Sequence, residues 1–318
     1  MISFIIRRIL QSLVVLVIVS MLVFLAMRLL PGDPIRMILT VSSAESFSEE
    51  QIAQVRHEYG LDRSLFIQYF DWVGGILHGD MGNSILQRIP VSDEILRRIP
   101  ITFHLGILAF IFGLLIGIPV GIISAVRRGT WLDTLVVTLS NLGITVPAFW
   151  LGVLLMWVFG YYLRWLPIMG YTSPFTDFWY NTKQLIMPVF CLTLFPIAST
   201  ASQTRSSMLE VMRQDYIRTA WSKGLTERVI ITKHALKNGL IPVVTLAGMA
   251  VPMIVGGTVL IETVFNIPGM GRLAVTSVLN QDYPYVQGIV IIVSAAVLLV
   301  NFIVELVYGW LDPRIRYD

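Results

Sequence analysis

Long apolar runs separated by short charged knots dominate this chain. About 20 consecutive apolar residues cross roughly 30 Å of hydrocarbon as helix, and six stretches meet that length. The first covers about Ile9 to Leu30, the second about Ile101 to Val126, and the third about Leu135 to Tyr162. The fourth, about Leu185 to Ser202, is broken by Pro188 and Pro196. The fifth, about Leu240 to Ile261, contains Pro242 and Pro252, and the sixth runs from about Tyr285 to Trp310. Prolines in spans four and five are compatible with discontinuous helices at a binding site. The plainer reading is that neighbouring helices repair the lost hydrogen bonds, as is common in membranes. The first stretch is too long for a removable signal peptide and lacks a small-residue cleavage site.

Composition agrees with this pattern. Only 14% of residues are charged and mean hydropathy is +0.74, whereas a soluble domain carries about a quarter charged residues. Lipid offers no partners to a free backbone, so spans are helices or closed barrels. The expected class is an all-α membrane protein. Arg7 and Arg8 precede the first span, Arg127 and Arg128 follow the second, and seven Lys and Arg residues lie between Arg205 and Lys237. Arg314 and Arg316 lie in the tail, while the segments 164–183 and 263–284 hold only Arg164, Lys183 and Arg272. With six spans the basic residues fall on one side, placing both termini in the cytoplasm. Arg97 and Arg98 fall outside, where the rule is weak for a long segment. Arg28 is expected to snorkel outward. A net charge of +3 implies no nucleic acid.

Two connections are too long to be turns. Residues 31–100 lie outside, with ten acids against six bases. They include an amphipathic stretch from Glu49 to Tyr59 with Ser48 as its N-cap. The expected organisation is a first span in 1–30, a small helical extracytoplasmic insertion in 31–100, and a core of five spans in 101–318. The second long connection, 205–238, is cytoplasmic.

Candidate chemistry is sparse. Cys191 is a lone cysteine in an apolar run, and His57, His78, His104 and His234 are scattered without metal-ligand spacing, so neither a disulfide nor a metal site is expected. The phosphate-binding GxxxxGK[ST] pattern is absent, as is His-Glu-x-x-His, so the chain carries neither that ATP site nor that enzyme signature.

The segment 205–238 is the most informative. Met208, Met212, Tyr216 and Ala220 recur every four residues, which predicts one helix face. Gly224 can end that helix in a left-handed conformation. Thr226 can cap a second helix bearing Val229, Ile230, Ile231, Ala235 and Leu236. Two helices meeting at a glycine make an elbow that fits a groove of a soluble partner. From the residues alone, a mere inter-helix connection or a lipid-surface helix remains equally open.

This segment resembles the signature loop of importer-type ATP-binding-cassette permeases, Glu-Ala-Ala, three residues, Gly, nine residues, then Ile-x-Leu-Pro. Arg218, Thr219 and Ala220 stand for the triplet, Gly224 is the glycine, and His234 and Leu236 take the Ile and Leu places, with Lys237 where proline would be. The runs 215–220 and 234–238 look like the dipeptide/oligopeptide branch. Further family hallmarks that the chain resembles are Pro31-Gly32-Asp33-Pro34, Tyr59-Gly60-Leu61-Asp62, Gly79-Asp80-Met81-Gly82-Asn83-Ser84, Ile267 to Arg272, Asp282-Tyr283-Pro284, and Asp312 to Arg316. The resemblance covers nearly the whole chain and looks like the first of two paired permeases. Two departures are Trp221 and Ser222, where the family has Arg-Ala, and a short 163–184 segment.

The resemblance implies a bacterial inner-membrane importer with a second homologous permease, two ATPase subunits holding ATP and Mg, and an extracytoplasmic peptide-binding protein. No cofactor is implied in this chain. The ATPases would move an elbow comprising Asp215 to Thr226, with Arg218, Lys223 and Glu227 as charged contacts and Tyr216, Ala220 and Gly224 as packing ones; Thr219 belongs to the same lever. Arg213 and Arg228 read as positive-inside anchors. Pathway candidates are the polar span residues Asn141, Thr145, Gln203, Glu262 and Asn301. For Asn141, Thr145 and Asn301 a helix–helix hydrogen bond is the simpler role. Glu262 could bind a peptide amino terminus but reads better as an interfacial cap, and Glu305 as interfacial. Nickel, glutathione or short oligosaccharides are alternative cargoes for the same machine. An ion-coupled secondary transporter would need a mid-membrane acidic or histidine relay, and no convincing set occurs.

Overall fold

The protein is described by a computed structural model covering residues 2–29 and 49–311. Ser48, the 31–34 motif and the 312–316 motif lie outside the described residues. Among the described residues the regular structure is all helical, apart from an isolated bridge between Asn83 and Pro90. In order the helices are α1 (Ile2–Leu29), α2 (Glu49–Glu58), α3 (Leu65–Leu77), α4 (Val91–Val126), α5 (Trp131–Thr145) and α6 (Ala148–Leu155), which continues as π-helix over Met156–Tyr162. Then come α7 (Phe178–Val211), α8 (Asp215–Ser222), and α9, a run of Glu227–Val229, π-helical Ile230–Ala235 and Leu236–Gly239. The last are α10 (Ile241–Val264), α11 (Met270–Leu279) and α12 (Tyr283–Leu311).

Among the described residues, four helices (α1, α4, α7 and α12) are long and apolar enough to cross a membrane, or five if the bent pair α5–α6 counts as one. That pair is the first difference from the sequence expectation. The third apolar run is not one straight span: its halves meet at 98°. Val146 and Pro147 are both extended there, with ψ of 122° and 125°. A residue before proline is pushed out of the helical region, and an unbroken apolar run conceals the corner.

The fourth stretch differs in the opposite sense. Pro188 and Pro196 do not break it; both lie inside a single 34-residue helix. α7 runs through the middle of its unit with α5 and α10 packed along it, and such neighbours stabilise a proline-bearing helix. Gly113, Gly117 and Gly121 bring α4 against the same helix. A Cβ on them would meet Pro196 at 2.6 Å, Thr200 at 2.8 Å and the Ala201 carbonyl at 2.5 Å. This is the small-residue spacing that lets membrane helices approach closely.

The chain forms two compact units, each assembled from separate stretches: Met1–Ile101 with Gly269–Leu299, and Thr102–Pro268 with Val300–Arg316. Among its described residues the first holds two clusters. Met27, Ile52, Ile85, Tyr283 and Val286 form one, and Val91, Ile95, Met270, Leu273, Tyr285 and Ile289 the other. The 79–90 loop is held by Asp282, whose carboxylate accepts from Ser84 Oγ at 2.5 Å and Ile85 N at 3.2 Å. Burial pushes the Asp282 carboxyl above its usual range, and those donors pull it back. Asp282→Ala leaves the fully buried Ser84 hydroxyl and an amide without an acceptor, a loss of about 2 kcal/mol. Asp282→Asn retains a carbonyl and avoids burying a charge. Trypsin cleavage at the exposed Arg88 is expected to accelerate strongly in the alanine variant and little in the asparagine variant.

Arg28 is surrounded by protein groups. Its Nε donates to Gln68 at 2.8 Å, and its guanidinium lies 5.0 Å from the ring centres of both Phe24 and Tyr283. Two aromatic faces and an amide replace water around this cation.

Candidate functional site

The elbow starts where α7 ends. Met212 to Gln214 form a turn, Gln214 is extended (ψ 151°), and α8 starts at Asp215. An acid in the first turn suits the positive helix end. The single helix face expected from Met208, Met212, Tyr216 and Ala220 is therefore split between two helices. Met208, Met212 and Ala220 nevertheless share one core, because the chain folds back on itself, while Tyr216 stays exposed. Met208, Ile217, Ala220, Ile230 and Ala235 are all buried together with Ala125 at the end of α4.

Gly224 ends α8 with φ +74°. The Gly224 amide donates to Trp221 O at 2.9 Å and the Leu225 amide to Ala220 O at 3.4 Å. These paired bonds satisfy the terminal carbonyls of the helix and require the left-handed residue that glycine supplies. Thr226 takes the N-cap position of α9 with extended backbone, but its side chain makes no cap bond. The arms are joined at their outer side by Asn238 Nδ2 donating to Tyr216 Oη at 2.9 Å. Where α9 ends, Gly239 lies so close to α7 that a Cβ would meet Met208 Sδ at 2.7 Å.

The result is a packed inner face and a solvent-facing tip. Asp215 and Arg218 have side chains 96% and 75% exposed. Thr219, Ser222, Lys223, Gly224, Thr226, Glu227 and Arg228 are exposed too, as are the aromatic rings of Tyr216 and Trp221. Ala220 faces inward, into the elbow's own core.

A second feature braces the base of the elbow. Asp133, at the start of α5, accepts two hydrogen bonds from Arg205 of α7, at 2.6 and 2.9 Å. Ser124 Oγ donates to the same carboxylate at 2.6 Å and Gly129 N at 2.9 Å. The Asp133 side chain is 8% exposed and that of Arg205 26%. The bidentate geometry ties the α4–α5 turn to α7 two turns before the elbow.

Residues 117–317 match the family model described as binding-protein-dependent transport system inner membrane component, and residues 1–106 match the model for its membrane component's N-terminal region. The chain belongs to this binding-protein-dependent transport family. A putative peptide transport system permease protein of Brucella abortus is 41% identical over the full length of both chains. A glutathione transport system permease protein of Salmonella typhimurium is 40% identical, also over the full length of both. Among solved structures, the MetNI methionine ABC transporter in an inward-facing conformation has the same fold, with TM-score 0.57 at 18% identity over 69% of this chain and 96% of that one.

In this transport-family chain the five polar span residues do not converge. Asn141, Thr145 and Asn301 are exposed. Thr145 Oγ1 bonds to its own helix, to Asn141 O at 3.0 Å and Leu142 O at 3.1 Å, and not to a neighbouring helix. Gln203 bonds to Ser207 one turn on, at 3.2 Å. Glu262 is fully buried and accepts from Thr102 Oγ1 at 2.6 Å. A 430 Å³ cavity does lie between α4, α5, α6 and α7, but its lining is apolar apart from Ser140. Sequence reasoning missed Asp133 and Ser124. It read Arg205 only as a topology signal, because its partner lies 72 residues away.

Proposed function

We propose that this chain is one of the two membrane-spanning subunits of an ATP-driven importer of di- or oligopeptides in a bacterial inner membrane. It has six spans, counting α10, and both termini are cytoplasmic. A second, homologous permease completes the pathway, an extracytoplasmic binding protein delivers the peptide, and two separate ATPase subunits holding ATP and Mg supply the energy. The observation that carries this reading is the elbow, whose tip is charged and aromatic while its inner face is welded to the ends of α4 and α7. Such a part transmits a push: whatever grips the tip moves the helices above it.

Asp215, Tyr216, Arg218, Thr219, Lys223, Gly224, Thr226 and Glu227 form the gripped surface, with Ala220 as internal support. ATP draws the ATPases together, the elbow follows, and the spans change from inward-open to outward-open. Such a switch needs contacts that differ between the two states. Peptides share a backbone and vary in side chain, so a permissive conduit between the two permeases fits the scattered polar residues better than a fixed binding set. The relative named for glutathione keeps a second cargo in view, since glutathione is itself a small peptide.

Gentle affinity purification is expected to bring down two ATPases and a second permease. In proteoliposomes the assembly should import a labelled dipeptide only with ATP and the binding protein present. Substrate movement by this chain alone would refute the assignment. Import of glutathione with dipeptides excluded would retain the machine and change the cargo.

A further inference from the structure

The segment between α1 and α4 holds a helix that does not behave as part of a free-standing aqueous domain. None of the residues of α3 is buried. At about 100° per residue, Phe66, Phe70, Val73 and Leu77 form one stripe. Phe66 is 80% exposed, Phe70 68% and Leu77 80%. The opposite side holds the helix in place. Gln68 donates to the carbonyls of Leu61 and Arg63 at 3.3 and 2.7 Å, and a Cβ on Gly75 would meet the Asp80 carbonyl at 2.9 Å.

The depth of α3 identifies what faces that stripe. It packs along the last turns of α1: Gln68 meets Arg28 at 2.8 Å, Trp72 and Tyr69 meet Phe24 with ring centres 6.1 and 5.5 Å apart, and Tyr69 Oη meets Ser20 Oγ at 2.8 Å. At 1.5 Å per residue, Ser20 lies about 13 Å back from the end of α1 at Leu29. These contacts therefore fall beside the apolar part of a spanning helix. Over the same turns α1 itself exposes Met21, Leu22, Leu25 and Leu29. Both helices thus leave large apolar side chains uncovered over the turns where they meet. Asp71, paired with Arg63 at 3.0 Å, lies about 140° round the helix from Phe66 and so off the stripe.

We propose that α3 is an in-plane membrane helix, with its Phe66–Phe70–Leu77 stripe immersed in the acyl chains of the leaflet at the C-terminal end of α1. Interfacial helices bury their apolar face about 5–10 Å below the headgroups, and the contacts of α3 on α1 run from Arg28, near its end, to Ser20 deeper along it. The arrangement pins the 49–90 segment to the bilayer, so that the surface it offers to a soluble partner has a fixed height and tilt.

Collision accessibility tests this directly. In a Cys191→Ala background, Phe70→Cys and Leu77→Cys are each spin-labelled in the full-length transporter as purified and reconstituted in lipid nanodiscs. Encounter with oxygen, which concentrates in lipid, is compared with encounter with a water-soluble nickel chelate. A doxyl-labelled lipid supplies the membrane reference, and Gln54→Cys on the exposed face of α2 the aqueous one. High oxygen and low nickel access at both positions, close to the doxyl lipid, supports immersion. Nickel access approaching that of Gln54→Cys overturns it, and so does shielding from both reagents, which would mean that protein covers the stripe. Neither outcome depends on the cargo or on the ATPases.

Discussion

Gly224→Asp is expected to abolish ATP-driven import and the link between substrate and ATP hydrolysis, while the chain still reaches the membrane at its usual level. A Cβ at Gly224 meets nothing within 4 Å in this chain, so the substitution does not disturb its own core. What it does incur is the left-handed backbone, about 1 kcal/mol for an ordinary residue and less for Asp or Asn, which enter that region more readily. The larger effect is on docking. A carboxylate placed at the bend of a gripped surface is desolvated without a partner, which costs several kcal/mol, and about 3 kcal/mol already weakens binding more than a hundredfold. The order of severity separates the two causes. Gly224→Ala carries the greater backbone strain and no charge, so it should retain much of the transport that the aspartate variant loses. Uptake measured in vesicles, with membrane level checked by immunoblot, decides the matter. If alanine were worse than aspartate, the bend would matter for its own geometry only. Normal uptake by the aspartate variant would remove the elbow from the mechanism.

What could be read from the chain depended on how local each signal was. Apolar runs found α1, α4, α7 and α12 because a lipid-crossing helix is specified by its own 20 or so residues. The elbow's second half was also legible. Gly224 announced a left-handed turn and Thr226 the start of the next arm, both within a few positions. The first half misled, since a four-residue period from Met208 to Ala220 is what a single helix would show. The turn at Met212–Gln214 returns the chain to the cluster that Met208 had already joined, so both sides stay apolar across the break. Ile217, fully buried, was hidden behind Tyr216, which fitted the period better. The spacing of Gly113, Gly117 and Gly121 was visible in the sequence, but which helix they receive was not, because Pro196 and Thr200 lie some eighty residues away. The corner at Val146–Pro147 had a local signal in the proline that the continuous hydrophobicity outweighed.

The brace beneath the elbow was the least legible part, and it gives the second large prediction. Asp133→Ala is expected to lower the yield of assembled transporter severely, and in the fraction that survives ATP hydrolysis should run without responding to substrate. Removing the carboxylate strands three donors at once: the Arg205 guanidinium, the fully buried Ser124 hydroxyl and the Gly129 amide. Of these only the Ser124 hydroxyl is shut off from water, so the loss is that of charge-assisted hydrogen bonds and one orphaned donor, about 2 kcal/mol. Arg205→Ala should be milder, because Asp133 keeps the Ser124 and Gly129 donors, and Arg205 was the more exposed partner. The double variant is then expected to be less damaged than the sum of the two, the non-additivity that residues in direct contact show. Asp133→Asn offers the control, since it preserves one acceptor and the side-chain volume but gives up the charge. If it restores yield yet leaves hydrolysis unresponsive, the brace transmits force as well as stabilising the fold. If yield and response recover together, the pair is a structural clamp, and the elbow is moved through its apolar contacts with Ala125 and Met208 alone.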